Sequence, residues 1–441
     1  MHKLPAILGL ILLLGLCGCA ITPPNNNPVD APASQGVKEG GNMVQLVAVK
    51  GNEPAEAVFP EDFDANGVNQ FAFRFSAAMA AGNDDENFVC SPFSVWLPLA
   101  ALANATDESH RRELIETIGA GDMTAEEVNR IAGSFLYYAT RQQNKQDAEV
   151  YGIEYYNPFR TANALFVSRE YNANKEFAQV FADSYLGAMF QVDFLSPGAV
   201  DAVNAWASEN TDGLITDVIQ TFAPETVAAI ANAIYYSDRW RWEFDKEETE
   251  QGAFHAPGGD TQAWFMLREG NTQSYYEDES IQAMPLDFVT GGRLWIILPK
   301  DGDANGLLSS MTAADFSKIN SGCRQRSGKL LLPRFEIGGD PMKLVDTLKL
   351  LGVPLFDREA APLTGGLLEE KIPVWLSDAV QKAMIRVDEE GTTAAAVTVM
   401  AAVGSSMPLP TEPFELVCDR PFVFVLTDFD QVLFTGIVNQ P

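Results

Sequence analysis

The chain contains 441 residues, of which 46% are hydrophobic and 10% aromatic, and its formal net charge is −30. This length can supply a large packed core in one large domain or in two domains of ordinary size. A strongly negative field repels phosphate backbones and anionic lipid surfaces, so we expect neither nucleic acids nor heparin-like polyanions as partners.

The first twenty residues have the pattern of a targeting segment. Lys3 supplies a basic start, and the apolar run over residues 4–16 is shorter than the roughly 20 residues that a transmembrane helix needs. These features predict a signal peptide over residues 1–18. The tetrapeptide Leu16-Cys17-Gly18-Cys19 resembles the lipobox of bacterial lipoproteins, which implies a lipid on Cys19. An ordinary secreted protein is the alternative interpretation.

Residues 20–42, within the predicted linker of residues 19–60, have the composition of a tether. Pro, Asn, Gly and Ser dominate the sequence after Cys19 and no apolar period is present, so this stretch cannot bury enough surface to fold. We therefore expect a lipid-anchored flexible linker and then a folded domain over residues 61–441. The expected location is an exported, membrane-anchored lipoprotein facing the periplasm or the cell surface, extracellular if released.

The remaining cysteines do not predict a disulfide scaffold. Beyond the predicted lipidation site they are Cys90, Cys323 and Cys418, and no CxxC pair occurs. The first and last lie in apolar runs typical of a core. The middle one lies in the polar sequence SGCRQRSG, which predicts a loop.

The motifs of common enzyme classes are missing from the sequence. His110 and His255 belong to no HExxH-like pattern, and no GxSxG, GxxxxGK or GxGxxG motif occurs. DGDANG at residues 301–306 resembles the start of a calcium loop, but Thr312 stands where the closing Glu should be, which favours a polar turn. We expect a protein that is not an enzyme and that uses neither a metal nor a cofactor.

Periodicity predicts helices mainly in the first half of the chain and strands mainly in the second. Helical periodicity covers residues 69–82, 95–119, 123–143, 174–188, 199–219 and 340–352. Strand patterns cover residues 227–238, 262–270, 281–288, 293–299, 329–338, 378–391, 422–428 and 432–440. This segregation indicates an α+β fold rather than alternating βαβ units.

Residues 389–408, EEGTTAAAVTVMAAVGSSMP, form an unusual segment because no charge follows Glu390. Such a run is compatible with a buried helix, a buried strand, a membrane segment or a segment that changes state. It is too short to span a bilayer. Taken alone, an uncharged Ala-rich run favours a buried core helix.

Ordered blocks across residues 70–441 resemble the serpin family. They are NFVCSPFSVWLPLAALA from residue 87, TANALFV from 161, FLSPGAVDAVNAWASENTDGLITDVI from 194, ANAIYYSDRWRWEFDKEETEQGAFH from 231, LLLPRFEI from 330 and CDRPFVFVLTDFDQVLFTGIVNQP from 418. The resemblance implies an α+β serpin fold with a large central mixed β-sheet, additional sheets and about eight to nine helices. It also implies an exposed reactive loop over about residues 389–413.

The resemblance further implies an inhibitory serpin, acting as a monomer. Such a protein traps a serine protease as a covalent acyl complex when its reactive loop is cut and inserts into the central sheet. The alternatives are a serpin-fold binding protein without inhibitory activity and an inhibitor of cysteine proteases.

The start of the uncharged run resembles the hinge of inhibitory serpins. The hinge positions are Glu389, Glu390, Gly391, Thr392, Thr393, Ala394, Ala395, Ala396, Val397 and Thr398. Side chains alternate between the faces of a strand, so Thr392 and every second residue to Ala402 would share one uncharged face. No proline occurs between Gly391 and Pro408, so no residue of this stretch lacks the backbone N–H that strand pairing needs.

The spacing from the hinge, by resemblance, places the scissile bond between Ser405 and Ser406. Neighbouring candidates are Val403, Gly404 and Met407. Since no Arg or Lys lies between residues 391 and 414, trypsin-like targets are disfavoured. Small, moderately apolar residues suit elastase-like or subtilisin-like proteases.

A polar cluster beneath the sheet and a tryptophan near the loop entry are also implied by the resemblance. The matching positions are Asn87, Ser91, Ser94, Asn232, Trp240 and Gln381. The family usually has His where this chain has Gln381. Glutamine can keep the cluster hydrogen-bonded, but it cannot titrate near neutral pH. Ordinary core packing is the alternative role for these residues.

Overall fold

A computed structural model of the chain describes residues 8–16, 43–45, 65–83, 85–140, 158–196, 198–211, 213, 216–391 and 413–441. This part of the chain contains nine α-helices: α1 Ala65–Ala80, α2 Pro92–Leu102, α3 Glu108–Thr117, α4 Ala125–Ala139, α5 Lys175–Tyr185, α6 Gly198–Glu209, α7 Ala304–Ser310, α8 Ala313–Gly322 and α9 Val345–Leu350.

The strands are β1 Leu8–Leu16, β2 Met43–Gln45, β3 Phe88–Cys90, β4 Phe159–Ser168, β5 Gly187–Val192, β6 Ala228–Tyr236, β7 Glu250–Ala256, β8 Gly259–Glu277, β9 Ile281–Asp287, β10 Arg293–Pro299, β11 Arg324–Pro333, β12 Phe335–Lys343, β13 Leu376–Val387, β14 Phe414–Val417, β15 Phe422–Asp428 and β16 Gln431–Val438.

These strands form two sheets. The central sheet has the order β12-β13-β1-β6-β4-β5-β2, and the second has the order β14-β11-β8-β9-β10-β15-β16-β3, with β7 paired to β8. In the central sheet β4 and β5 pair in parallel and the other neighbours pair antiparallel. The predicted α+β architecture with a large mixed sheet and an additional sheet is confirmed.

Helix α2 forms the floor beneath the central sheet. All eleven of its residues are buried, as expected for a helix that is apolar on every side. It begins at Pro92, whose fixed φ suits the first helical turn, after the N-cap Ser91. The N-cap hydroxyl accepts a hydrogen bond from the amide of Ser94 at 3.2 Å.

Helix α6 covers the opposite face of the same sheet, so both faces of β6 are buried. Ala229, Ala231 and Ala233 of β6 pack with Val203 and Trp206 of α6. The alternate residues of β6 face the main core, and every residue of the strand is buried. This double burial explains why the strand reads AAIANAIYY, without a charge.

Two predicted helices are interrupted in the structure. The stretch 95–119 divides because α2 ends at Leu102 and Asp107 caps the separate helix α3, accepting from the amides of Ser109 and His110. The helix predicted over residues 340–352 is shortened to α9, which begins at Val345. Its first residues instead belong to β12, which continues to Lys343 by pairing with β13. The chain leaves this helix at Gly352, whose φ of +90° is typical of a glycine that ends a helix.

The N-terminal strands lie in segments that were expected to be a signal peptide and a tether. β1 pairs with β13 on one side and β6 on the other, and β2 pairs with β5. Strand pairing therefore starts earlier than the predicted domain boundary at residue 61. A continuous apolar run fits both the core of a signal peptide and a strand with two covered faces, so composition alone cannot separate them.

Within the described ranges, no helix has both the length and the apolar character needed to cross a bilayer.

Candidate functional site

The chain turns sharply after β13, and the residues that hold this turn form what we call the loop entrance: Asp238, Trp240, Arg334, Glu389 and Gly391. The amide of Asp388 donates to the carbonyl of Gly391 at 3.1 Å, which closes the turn. Gly391 has φ +140° and forms an isolated antiparallel β-bridge with Arg239. A Cβ at this position would lie 2.3 Å from the carbonyl oxygen of Asp238, so only glycine fits.

Trp240 fixes the backbone of the turn. Its amide donates to the carbonyl of Glu390 at 3.0 Å, and its indole Nε1 donates to the carbonyl of Asp388 at 2.8 Å. The ring is buried and stacks on Phe288, with ring centroids 4.6 Å apart. The tryptophan predicted near the loop entry therefore lies directly against the turn.

Glu389 is buried and forms an ion pair with Arg334, whose side chain is 41% exposed. The carboxylate is 2% exposed, and it accepts from Nε of Arg334 at 2.8 Å and from Oγ1 of Thr249 at 2.6 Å. Burial alone would raise the pKa of Glu389, but the hydrogen bonds from Arg334 and Thr249 outweigh it and hold the pKa below its ordinary value. The sequence analysis did not predict Arg334 as a site residue, although Arg334 lies within the LLLPRFEI block.

Glu390, by contrast, points to the surface. Its carboxylate accepts from Nζ of Lys246, an exposed side chain, and this hydrogen bond raises the pKa of the lysine. The two neighbouring acids thus differ in their environment. Glu389 is buried, whereas the Glu390 side chain is partly exposed and pairs with a surface lysine.

Asp238 places a second buried carboxylate at the loop entrance. The carboxylate accepts from the amide of Arg239 at 2.8 Å and from the hydroxyl of Thr290. Burial raises the pKa of Asp238 to about 6, with a smaller contribution from Asp428, while the hydrogen bonds act in the opposite direction.

Gln381 occupies the polar cluster beneath the sheet, and it holds the backbone of Ser91 from both sides. The side-chain amide donates from Nε2 to the carbonyl of Ser91 at 3.0 Å and accepts from its amide at 3.1 Å. The Ser91 hydroxyl in turn donates to the carbonyl of Leu433 at 2.6 Å. A residue without a titratable group thus ties β13 to the start of α2.

The second half of this cluster is built on β6. The hydroxyl of Ser94 donates to the side chain of Asn232, whose Nδ2 donates to Oδ1 of Asn163 at 2.6 Å. Asn163 then donates to the carbonyl of Tyr185 at 2.5 Å. The sequence analysis did not predict Asn163 as part of the cluster, although the residue lies within the TANALFV block. A single polar residue in an apolar strand does not indicate which distant residue it will bond.

Asn87 is not brought into this cluster. Its Oδ1 accepts from the amides of Asn439 at 2.7 Å and Gln440 at 2.8 Å, so it fastens the end of the chain to the start of β3. The other predicted cluster residues gather in two groups, one around Gln381 and one around Asn232.

Strand β1 separates the two groups. Leu12 is the register partner of Gln381 on one side and of Asn232 on the other. Strands β6 and β13 both pair antiparallel with β1, so they run parallel to each other with one strand's width between them. We call this position between β6 and β13 the central lane.

The remaining predicted site residues lie outside the described part of the chain. These are the lipidation residue Cys19, the hinge residues Thr392, Thr393, Ala394, Ala395, Ala396, Val397 and Thr398, and the scissile-bond candidates Val403, Gly404, Ser405, Ser406 and Met407.

No group of three or more His, Cys, Asp or Glu side chains suited to a metal ion is found among the residues that the structure describes. Cys90 and Cys418 are buried, and burial raises the pKa of both thiols, to about 12 for Cys90. Cys323 is half-buried at the C-terminal end of α8, and burial raises the pKa of its thiol as well.

Comparison with known proteins gives one consistent family. The model of the serpins, described as serine protease inhibitors, matches residues 66–441. An uncharacterised serpin-like protein of Thermococcus kodakarensis is 28% identical over 457 residues, covering 99% of this chain and 98% of the relative. Alpha-1-antitrypsin 1-3 of Mus musculus is 28% identical over 382 residues, covering 86% and 89%.

Solved structures show the same fold. The crystal structure of the thermophilic serpin tengpin in its native state has a TM-score of 0.76 at 22% identity, covering 91% of this chain and all of tengpin. Human thyroxine-binding globulin, solved in complex with thyroxine, has a TM-score of 0.72 at 23% identity, covering 86% of this chain and 99% of that protein.

Proposed function

The chain belongs to the serpin family, and we propose that it is an inhibitory member that traps elastase-like or subtilisin-like serine proteases as covalent acyl complexes. The observation that carries this proposal is the central lane. The lane accepts a strand antiparallel to β13, which is the direction that a chain turning back at Gly391 must take.

The register of the turn predicts how the reactive loop would fill the lane. Continuing the pairing of Asp388 with Gly391 places Thr392 opposite Val387, Ala394 opposite Ile385, Ala396 opposite Ala383, Thr398 opposite Gln381 and Met400 opposite Ala379. All five partners on β13 are buried. Directly opposed residues share a face of a sheet, so the loop side chains would enter the core beside α2. An uncharged sequence is what this burial requires.

The proposed reaction is ordinary proteolysis that stops halfway. The serine oxygen of the protease attacks the carbonyl carbon of Ser405, the peptide bond to Ser406 breaks, and Ser406 leaves as the new amine. The protease is then joined to Ser405 by an ester. If the loop enters the lane before water hydrolyses this ester, the protease is carried along with the loop and stays attached.

A binding protein without inhibitory activity is the second candidate. The fold likeness to thyroxine-binding globulin favours it as an alternative, because that relative was solved with a small ligand. The absence of charged and bulky residues from the hinge positions 392–398 favours inhibition instead, since a carrier has no need for a loop that can be buried. Inhibition of a cysteine protease would use the same loop and is tested alongside.

The decisive experiment mixes the protein, processed in a bacterial host, with a panel of serine and cysteine proteases. We expect a complex that survives boiling in detergent, and mass spectrometry should locate the ester at Ser405 or a neighbouring residue. The matched control is the same protease with its nucleophilic serine replaced by alanine, which should form no such complex. Complete cleavage of the loop by every protease without a trapped complex would refute inhibition.

We further propose that Cys19 carries the lipid that anchors the protein to a membrane. Several acyl chains make release negligible, since each buried CH₂ adds about 0.8 kcal/mol. The test is Cys19→Ala: the wild type should fractionate with membranes and carry acyl groups on its N-terminus, and the variant should not. A variant that stays with the membranes would contradict the anchor.

A further inference from the structure

Strand β1 occupies the central lane along the edges of both neighbours. Eight residue pairs join it to β13, from Gly9 with Met384 to Leu16 with Leu376, and eight join it to β6. The segment has no charged residue, no proline and no polar side chain. It therefore meets the same requirements for burial between two strands that the reactive loop meets.

We propose that Leu8–Leu16 is an internal plug of the central lane, which keeps the unprocessed chain from acting as an inhibitor until the segment is removed. This inference rests on the proposed inhibitory function, because it concerns the lane that the reactive loop would use.

The plug and the loop compete for the same backbone groups. In the register set by the turn, Ala395 would lie opposite Met384 and Thr398 opposite Gln381, the places that Gly9 and Leu12 hold. Each amide and carbonyl facing the lane on β6 and β13 can complete only one ladder. With β1 in place, loop insertion would first have to displace a paired strand, so its driving force is lost.

The competition predicts opposite outcomes before and after processing. Cleavage before Cys19 removes residues 1–18, and with them the whole of β1. A chain that folds before cleavage would be a plain substrate: a protease cuts the loop, the ester is hydrolysed, and the enzyme leaves. The processed chain would lack β1, so the loop could pair with β6 and β13 and the protease would be trapped.

The test uses unprocessed chains of 441 residues made in a cytoplasm without signal processing, with intact N-termini verified by mass. Wild type is compared with Leu12→Pro, in which proline removes a ladder hydrogen bond at the centre of β1. Ile21→Pro, placed after β1, is the matched control. With a protease that the processed protein traps, we expect at least tenfold more covalent complex from Leu12→Pro than from the other two chains.

A second measurement keeps the two proposals separate. Amide hydrogen exchange in Ala228–Tyr236 and Leu376–Val387 should be slower in unprocessed wild type and Ile21→Pro than in Leu12→Pro. Equal complex yields from wild type and Leu12→Pro would overturn the plug. If no form traps any protease, the inhibitory function fails, and the exchange data alone decide: slower exchange in wild type supports the plug, and equal exchange overturns it.

Discussion

At the scale of single residues, the loop entrance combines burial with charge in two different ways. The Glu389 carboxylate has a cationic partner, Arg334, and it remains ionised. The Asp238 carboxylate has hydroxyl and amide donors, and its raised pKa shows that ionisation in this place is unfavourable. The first group stabilises the folded turn at neutral pH, and the second opposes folding there.

Arg334→Met should destabilise the native protein strongly. The substitution leaves the buried Glu389 carboxylate without its cation, and because the Arg334 side chain is 41% exposed, the expected cost is that of lost hydrogen bonds to a charged group, about 2 kcal/mol of unfolding free energy. Arg112→Met, which breaks an exposed pair with Glu108 on α3, should cost less than about 1 kcal/mol. Urea unfolding at pH 7 measures both.

The pH dependence of this loss has a definite sign. Because the folded pKa of Glu389 is depressed, its contribution is present above the unfolded pKa of about 4.3 and is lost as the pH falls below it. The difference in unfolding free energy between wild type and Arg334→Met should therefore become smaller towards pH 3. A gap that is equally wide in acid would contradict the role of the ion pair.

Asp238 should give the opposite pH dependence. Its pKa rises from 3.8 to about 6 on folding, so the folded state takes up a proton first as the pH falls. The unfolding free energy should increase by about 1 kcal/mol between pH 7 and pH 5 through this group. Asp238→Asn should remove that part of the slope. The pH profiles of wild type and variant, measured by urea unfolding, should otherwise be parallel; identical slopes would count against the assignment.

At the scale of secondary structure elements, β6 and β13 matter because they run parallel to each other on either side of β1. Each strand has its own side-chain hydrogen bonds: Gln381 of β13 bonds the backbone of Ser91 at the start of α2, whereas Asn232 of β6 bonds Ser94 of α2 and Asn163 of the adjacent strand β4. Because none of these hydrogen bonds joins Gln381 directly to Asn232, β1 can lie between the two strands while the bonds remain in place.

Thr392→Glu should convert the inhibitor into a substrate, whereas Thr393→Glu should not. In the register of the turn Thr392 would lie opposite Val387, which is 1% exposed, and burying a charge there is costly. Thr393 would lie opposite Arg386, whose side chain is 42% exposed and positively charged. The fraction of inhibitor cleaved without complex formation is the readout. Similar fractions for the two variants would rule out this register.

At the scale of the whole molecule, the proposed function requires a native state that is not the most stable arrangement of the chain. Filling the central lane with the loop would add about a dozen backbone hydrogen bonds and bury apolar surface, together worth on the order of 10 kcal/mol. Such a difference makes insertion irreversible in practice, which an inhibitor that is used once can tolerate.

Cutting the reactive loop of the processed protein near Ser405 should therefore raise its melting temperature. For a domain of this size, on the order of 10 kcal/mol corresponds to roughly 10 °C or more. Calorimetry of intact and cleaved protein compares the two directly. The matched control is Thr392→Glu, whose melting temperature should rise less on cleavage than that of the wild type. A cleaved wild type that melts with the intact form would favour the binding-protein alternative.

The sequence by itself determined the family, the α+β class and most strands, because these depend on local periodicity and on ordered blocks with many residues each. The strand at residues 227–238 was recognisable from its apolar run, and Gly391 and Trp240 from their blocks. The same local reasoning extended the helix of residues 340–352 too far towards its start, since only pairing with β13 decides that β12 continues to Lys343.

Only the tertiary structure decided which polar residues meet. Arg334 and Glu389 are 55 positions apart and Asn163 and Asn232 are 69 apart, so no spacing rule joins them. Asn87 carries the same side chain as Asn232, yet it binds the end of the chain instead of the cluster. The location of Leu8–Leu16 is the clearest case: its apolar composition suits a membrane-bound signal or a covered strand equally well. Only its pairing with β13 on one side and β6 on the other, which residues far along the chain provide, makes it a strand in this structure.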